Sequence, residues 1–149
     1  MKKLMIVFAV LVFAACGQQQ TAQDYFDSGV RLFEKGELDK AILDYEQGLK
    51  LAPRSAVGHN LLGMACRFKF SQTADPEWRK KEIACFEEAL KINPDFMPAL
   101  ANLGATYYYA GEKEKAIPYF KRVLEVQQDH PEAEEIKKMI AEAEGPQSR

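Results

Sequence analysis

The chain has 149 residues, of which 47% are hydrophobic and 28% are charged, and its formal net charge is -2. This length suits one domain, and the composition is ordinary for a globular protein, which argues against a disordered chain. The mildly acidic balance excludes the basic surface that nucleic-acid binding favours, so no nucleic-acid partner is expected.

Residues 1–15 have the pattern of a secretory leader. Two lysines follow the first methionine, and residues 4–15 are an uncharged apolar run. This run is shorter than the ~20 residues that a membrane-spanning helix needs, and a basic start before an apolar core is typical of a signal peptide. A buried N-terminal helix is the alternative, and the lack of any polar face in the run disfavours it.

The end of this run, Phe13-Ala14-Ala15-Cys16, resembles the lipobox of bacterial lipoproteins. The resemblance implies that Cys16 becomes the N-terminus and carries acyl chains such as palmitate, with ordinary signal cleavage as the alternative. Cleavage removes both leader lysines, so the remaining acidic chain would depend on its acyl chains for membrane attachment. Residues 16–21 would then be the lipidated cysteine and a short tether.

The resemblance also implies a location. Gly17 rather than aspartate follows the cysteine, which by the sorting pattern of such lipoproteins favours the outer membrane, facing the periplasm, if the source has two membranes. The predicted localisation is therefore the bacterial cell envelope.

Six amphipathic helical patterns follow as three pairs, and the ends of several are marked by glycine, proline or asparagine. They span residues 22–34 and 38–51, then 56–70 and 76–92, then the two halves of 94–126 on either side of 110–112. Residues 71–75 are predicted as a loop. A last amphipathic helix is expected over residues 131–144, with a tail over 145–149.

The three pairs are repeats of one another, which is typical of units that bury their apolar faces against neighbours. The equivalent positions are Gly29, Gly63 and Gly104 in the first helices, and Tyr45, Phe86 and Phe120 in the second helices. The small residues allow close helix approach and the aromatic residues fill the space. Glu82 stands where the other units have alanine, so looser packing is expected in the second pair.

A 34-residue helix–turn–helix repeat with these residues resembles the tetratricopeptide repeat, most specifically at Leu103-Gly104, Tyr107, Ala116 and Phe120. The resemblance implies an all-α fold: a right-handed superhelical solenoid of three repeats plus a C-terminal capping helix. The domain would cover residues 22–144, with repeats at about 22–55, 56–95 and 96–129, and the capping helix at 131–144.

No catalytic, metal or cofactor site is indicated by the sequence. His59 and Cys66 share a helix face, but two helical turns, about 10 Å, separate them, too far for the contact that a nucleophilic pair needs. The cysteines and histidines do not have metal-ligand spacing. Cys66 and Cys85 lie on the two helices of one unit and leave two alternatives, a disulfide or two small buried thiols.

Tetratricopeptide domains resemble one another in lining a concave groove with the first helix of each unit. The predicted groove residues are Phe26, Val30, Phe33, Asn60, Met64, Arg67, Phe68, Ala101, Ala105, Tyr108 and Tyr109. This apolar and aromatic set suits an extended or helical peptide, whereas packing between repeats is the alternative role for its aromatic residues. One subclass clamps acidic peptide C-termini with charged groove residues, and the matching positions here lack that charge.

The sequence therefore favours a non-enzymatic, lipid-anchored adaptor or scaffold that binds a protein or peptide partner at the bacterial envelope, in the assembly of an envelope complex. The alternative is a structural, self-associating protein whose groove is filled by another copy.

Overall fold

The computed structural model describes residues 20–145. The predicted leader, Cys16 and residues 146–149 lie outside the described residues. The described part forms seven helices and contains no strand. They are α1 (Ala22–Glu34), α2 (Leu38–Leu51), α3 (Ala56–Thr73), α4 (Pro76–Ile92), α5 (Met97–Tyr109), α6 (Lys113–Val126) and α7 (Ala133–Glu144). None of these seven helices combines the length and the apolar character needed to cross a bilayer.

The helices form three pairs, α1 with α2, α3 with α4 and α5 with α6, and α7 packs on α6. The turns inside the first and third pairs each contain a glycine with a left-handed backbone, Gly36 at φ 75° and Gly111 at φ 83°. A glycine adopts this conformation without strain, so each helix can end and reverse within three residues. The predicted all-α helical-repeat solenoid is confirmed.

Polar side chains fix where several helices begin. The Thr21 hydroxyl accepts a hydrogen bond from the Asp24 N–H at 3.2 Å, and the Asp24 carboxylate accepts one from the Thr21 N–H at 2.8 Å. This capping box satisfies two backbone donors that the helix itself leaves without partners. Asp75 caps α4 in a related way, accepting from the Glu77 N–H at 3.0 Å, and Pro76 takes the first helical position.

The second pair is longer than the others, with 18 residues in α3 and 17 in α4 against 13 and 14 in the first pair. The prediction of a loop over residues 71–75 was wrong, because residues 71–73 are the last turn of α3. The hydroxyls of Ser71 and Thr73 donate to the carbonyls of Phe68 and Lys69, at 2.7 and 2.9 Å, and remain satisfied inside the helix. The additional residues of this unit therefore lengthen its helices.

Each pair is closed by an aromatic ring packed on a glycine. A Cβ placed on Gly63 would lie 2.6 Å from the Phe86 ring, and one on Gly104 would lie 2.6 Å from the Phe120 ring. The expectation that Glu82 loosens the second pair was wrong, since the approach is as close there as in the third. Glu82 is fully buried, and its carboxylate accepts hydrogen bonds from Arg67 on α3 and from Thr106 on α5.

Candidate functional site

The first helices of the pairs lie side by side, and α7 continues the row. Phe33 on α1 packs edge-to-face against Phe68 on α3, with 5.0 Å between ring centroids. Arg67 on α3 reaches Asn102 on α5, and Tyr108 on α5 reaches Glu142 on α7. The face shared by α1, α3, α5 and α7 is called the inner surface below.

An apolar cavity of about 210 Å³ lies between α1 and α3. Its lining residues are Val30, Phe33, Glu34, Tyr45, Leu61 and Met64. Glu34 is the charged residue of this lining. Burial raises the pKa of the Tyr45 hydroxyl to about 12, and the negative charges of Glu34 and Asp44 add to this effect. The α1–α3 cavity can therefore take an apolar side chain beside a carboxylate.

A second cavity, of about 240 Å³, lies between α5 and α7. Its lining residues are Ala101, Ala105, Tyr109, Phe120, Glu132, Glu135, Ile136 and Met139. The alanines of α5 leave the space, and the side chains of α7 form the opposite wall. This α5–α7 cavity is also mainly apolar, with two carboxylates on its wall.

A polar network separates the two cavities. Arg67 donates from Nε to the buried Glu82 carboxylate at 2.8 Å. Its Nη1 donates to the Asn102 side-chain oxygen at 2.9 Å. Its Nη2 donates to the Asn102 carbonyl at 2.7 Å and to the Thr106 hydroxyl at 2.8 Å. Arg79 also donates to Glu82, at 3.0 Å. Arg67 was predicted as a groove residue, and the structure shows its guanidinium bonded to groups of the protein itself.

Two other predicted groove residues are not accessible. Phe26 is only 5% exposed, because its ring fills the space above Gly48 and Gly58 between the first two pairs. Asn60 is 6% exposed, and its side-chain oxygen accepts a hydrogen bond from Asn102 at 3.0 Å. Both side chains are therefore buried between neighbouring units and are not presented on the inner surface.

The remaining predicted residues reach the inner surface to different degrees. Phe68 is 48% exposed and Tyr109 is 74% exposed. Half-buried positions are taken by Val30, Phe33, Met64, Ala101, Ala105 and Tyr108. Tyr108 donates its hydroxyl to Glu142, which raises the pKa of that hydroxyl, and Lys113 lies 4.6 Å from its ring centroid. Tyr108 thus links α5 to α7, whereas Tyr109 is mostly exposed and contributes to the lining of the α5–α7 cavity.

The cavity-lining residues of α7 were missed, since this helix was interpreted only as a cap. Glu135 and Met139 stand 34 residues after Ala101 and Ala105, the spacing of the repeat. Extending the repeat by one more half-unit would have placed both residues on the inner surface. The α7 helix therefore acts as the first helix of a further unit.

Cys66 and Cys85 are free thiols, and both are buried. A hydrogen bond between the two thiols, together with burial, raises the pKa of Cys66. Of the two alternatives, the structure shows the buried thiols rather than the disulfide. Within residues 20–145, no group of three histidine, cysteine or acidic side chains is placed to hold a metal ion.

Comparisons with known proteins agree with this geometry. Family models described as tetratricopeptide repeat match residues 98–130 and residues 25–55. The two matched stretches are therefore similar to tetratricopeptide repeats, and they fall on the third and the first helix pairs. No curated protein matches the chain.

Solved structures share the fold over most of the chain. The first TPR of Spaghetti (RPAP3) bound to the HSP90 peptide SRMEEVD is 24% identical, with a TM-score of 0.69 over 80% of this chain and 93% of that chain. The yeast Sti1 TPR2B domain in complex with pHsp70 is 20% identical, with a TM-score of 0.70 over 83% and 95%. The Sgt2 TPR domain of Aspergillus fumigatus is 18% identical, with a TM-score of 0.66 over 83% and 76%.

Proposed function

We propose that this chain is a non-enzymatic adaptor that binds a segment of a partner protein along its inner surface. The observation that supports this most strongly is the pair of apolar cavities, one at each end of that surface. Phe68 and Tyr109 stand exposed on the same face. Exposed aromatic side chains beside apolar pockets are the features that dominate the energy of protein interfaces.

The similar structures support the same proposal. Two of them, the Spaghetti and Sti1 domains, are described in complex with an HSP90 peptide and with pHsp70. Those ligands belong to those proteins. For this chain, the shared fold supports a peptide or protein segment as the class of ligand.

The proposal includes attachment to an envelope membrane through acyl chains on Cys16, in the assembly of an envelope complex. The capping box at Thr21 starts α1 only five residues after Cys16, so an extended tether would span about 18 Å. The inner surface would then work close to the membrane. Metabolic labelling with a fatty-acid analogue should mark the wild type and leave Cys16→Ser unlabelled, whereas equal labelling of both would exclude this anchor.

Site-specific photo-crosslinking tests the binding surface. A photoreactive residue in place of Phe68 or Tyr109 should capture a partner from envelope extracts. The matched control is Leu43, which is 58% exposed on α2, outside both cavities. Equal capture from all three positions would contradict the proposal. A captured partner that proves to be a second copy, with a dimer in sedimentation, would instead support the self-associating alternative.

A further inference from the structure

The α5–α7 cavity combines an apolar interior with two carboxylates. Its apolar lining includes Ala105, Phe120 and Ile136, and Glu132 and Glu135 line the same cavity. Apolar atoms in a cavity of about 240 Å³ suit one aliphatic or aromatic side chain. The carboxylates then decide which polar groups are tolerated next to that side chain.

These two carboxylates differ from the others of α7. Glu134, Glu142 and Glu144 form ion pairs with lysines, at 2.7, 3.5 and 2.8 Å. Glu132 and Glu135 have no such partner among residues 20–145. Acidic residues are generally favoured near a helix N-terminus, which accounts for their presence but not for two unpaired carboxylates beside an apolar cavity.

Within the part of the chain that the structure describes, no basic side chain lines either cavity to offset this negative charge. The guanidinium of Arg67 is already occupied by Glu82, Asn102 and Thr106. The α1–α3 cavity carries another carboxylate, Glu34, which has no ion-pair partner in the described chain. The lining of each apolar cavity thus includes at least one carboxylate and, among residues 20–145, no lysine or arginine.

We propose that the α5–α7 cavity binds a basic apolar segment of a partner protein. One apolar side chain of that segment enters the cavity, and a lysine or arginine beside it pairs with Glu132 and Glu135. The inference rests on the proposed function, because it names the chemistry of the segment that the inner surface accepts. It also sets this chain apart from the Spaghetti domain, whose HSP90 peptide SRMEEVD ends in an acidic run that these carboxylates would repel.

Fluorescence anisotropy with designed peptides tests the inference on the full chain. The probes are three labelled peptides in which leucine alternates with lysine, with glutamate or with serine. We expect the lysine peptide to bind more tightly than the glutamate peptide, and the difference to shrink as salt is added. Glu132→Gln with Glu135→Gln should lower the affinity for the lysine peptide by about three- to tenfold, the effect expected from the loss of two exposed ion pairs. The matched control Glu134→Gln, whose carboxylate pairs with Lys137, should change little.

A variant that fills the cavity separates the inference from the proposed function. Ala105→Phe should weaken the binding of all three peptides, because the larger side chain would fill the cavity that their leucines enter. If the glutamate peptide binds as tightly as the lysine peptide and Ala105→Phe weakens both, the charge preference is wrong and the binding surface stands. If no peptide binds and an unbiased peptide library yields no ligand, the proposed function fails. A gain of lysine-peptide affinity on removing residues 1–15 would show that the chain's own leader occupies the cavity, which would overturn the inference.

Discussion

The seam between the first two helix pairs is apolar, whereas the seam between the second and third is polar and built around the partly buried ion pair of Arg67 with Glu82. In the first seam, the Phe26 ring lies against Gly48 and Gly58, and a Cβ on either glycine would lie 2.5 Å from the ring. In the second, Arg67 joins Glu82 to Asn102 and Thr106. One fold thus joins similar units by two different kinds of contact.

The two seams depend on different conditions. The apolar seam requires matched shapes, because close-packed side chains lose contacts when volume changes. The polar seam requires complete pairing, because a buried carboxylate without partners is strongly unfavourable. Among the described residues no buried side-chain nitrogen or oxygen lacks a partner. The polar seam also occupies the guanidinium of Arg67, which binds groups of the protein itself.

The largest expected effect is on the apolar seam. Phe26→Ala should lower the free energy of unfolding by about 3–5 kcal/mol, because it leaves a cavity between two pairs of helices. Chemical denaturation of the purified domain measures this. Phe68→Ala is the control, since Phe68 is 48% exposed and its loss should cost less than about 1 kcal/mol. Equal losses for both variants would show that Phe26 does not hold the seam.

The polar seam should respond less to a single change and should be rescued by a second. Arg67→Met should cost about 2–3 kcal/mol, less than for a fully isolated buried charge, because Arg79 still pairs with Glu82. The double variant Arg67→Met with Glu82→Met should return to within about 1 kcal/mol of the wild type, since it leaves no buried charge. Simple addition of the two single losses would contradict this account.

Alkaline pH should weaken the first pair through Tyr45. Its pKa is raised from 10.0 to about 12, so the folded state keeps this proton more tightly than the unfolded state. The resulting stability is complete below pH 10 and is lost as the pH rises from 10 to 12. Tyr45→Phe should reduce the slope of stability against pH in this range. An unchanged slope would show that Tyr45 ionises normally in the fold.

The smallest expected effect lies outside both seams. Ala74 ends α3 with a left-handed backbone, at φ 55°. This conformation costs a residue with a Cβ about 1–2 kcal/mol, while glycine loses about 0.5–1 kcal/mol of chain entropy. Ala74→Gly should therefore stabilise the protein by about 0.5–1 kcal/mol in thermal unfolding. A loss of stability in Ala74→Gly would show that the left-handed backbone at Ala74 does not strain the protein.

The helices and their pairing could be predicted from the sequence because both depend on local signals. Asp75-Pro76 marked the start of α4, and the spacing of Gly63 and Gly104 defined the repeat. The loop over residues 71–75 was mispredicted, because hydroxyl side chains are satisfied equally well in a turn or along a helix.

The candidate site was predicted less well, because accessibility is set between units rather than within them. Phe26 and Phe68 both lie on first helices, yet only Phe68 is exposed. Arg67 could not be assigned from the sequence either, since its partners Asn102 and Thr106 are 35 and 39 residues away. The apolar character of the surface was visible in the sequence, and its charge was not.

A direct affinity measurement tests whether a partner segment binds the inner surface. A ligand peptide selected against the full chain would be titrated by calorimetry into the wild type, Phe68→Ala with Tyr109→Ala, and Leu43→Ala. We expect the Phe68→Ala with Tyr109→Ala variant to lose at least tenfold in affinity, about 1.4 kcal/mol or more, and Leu43→Ala to bind like the wild type. Unchanged affinity in the Phe68 and Tyr109 variant, or a loss only in Leu43→Ala, would contradict binding at the inner surface.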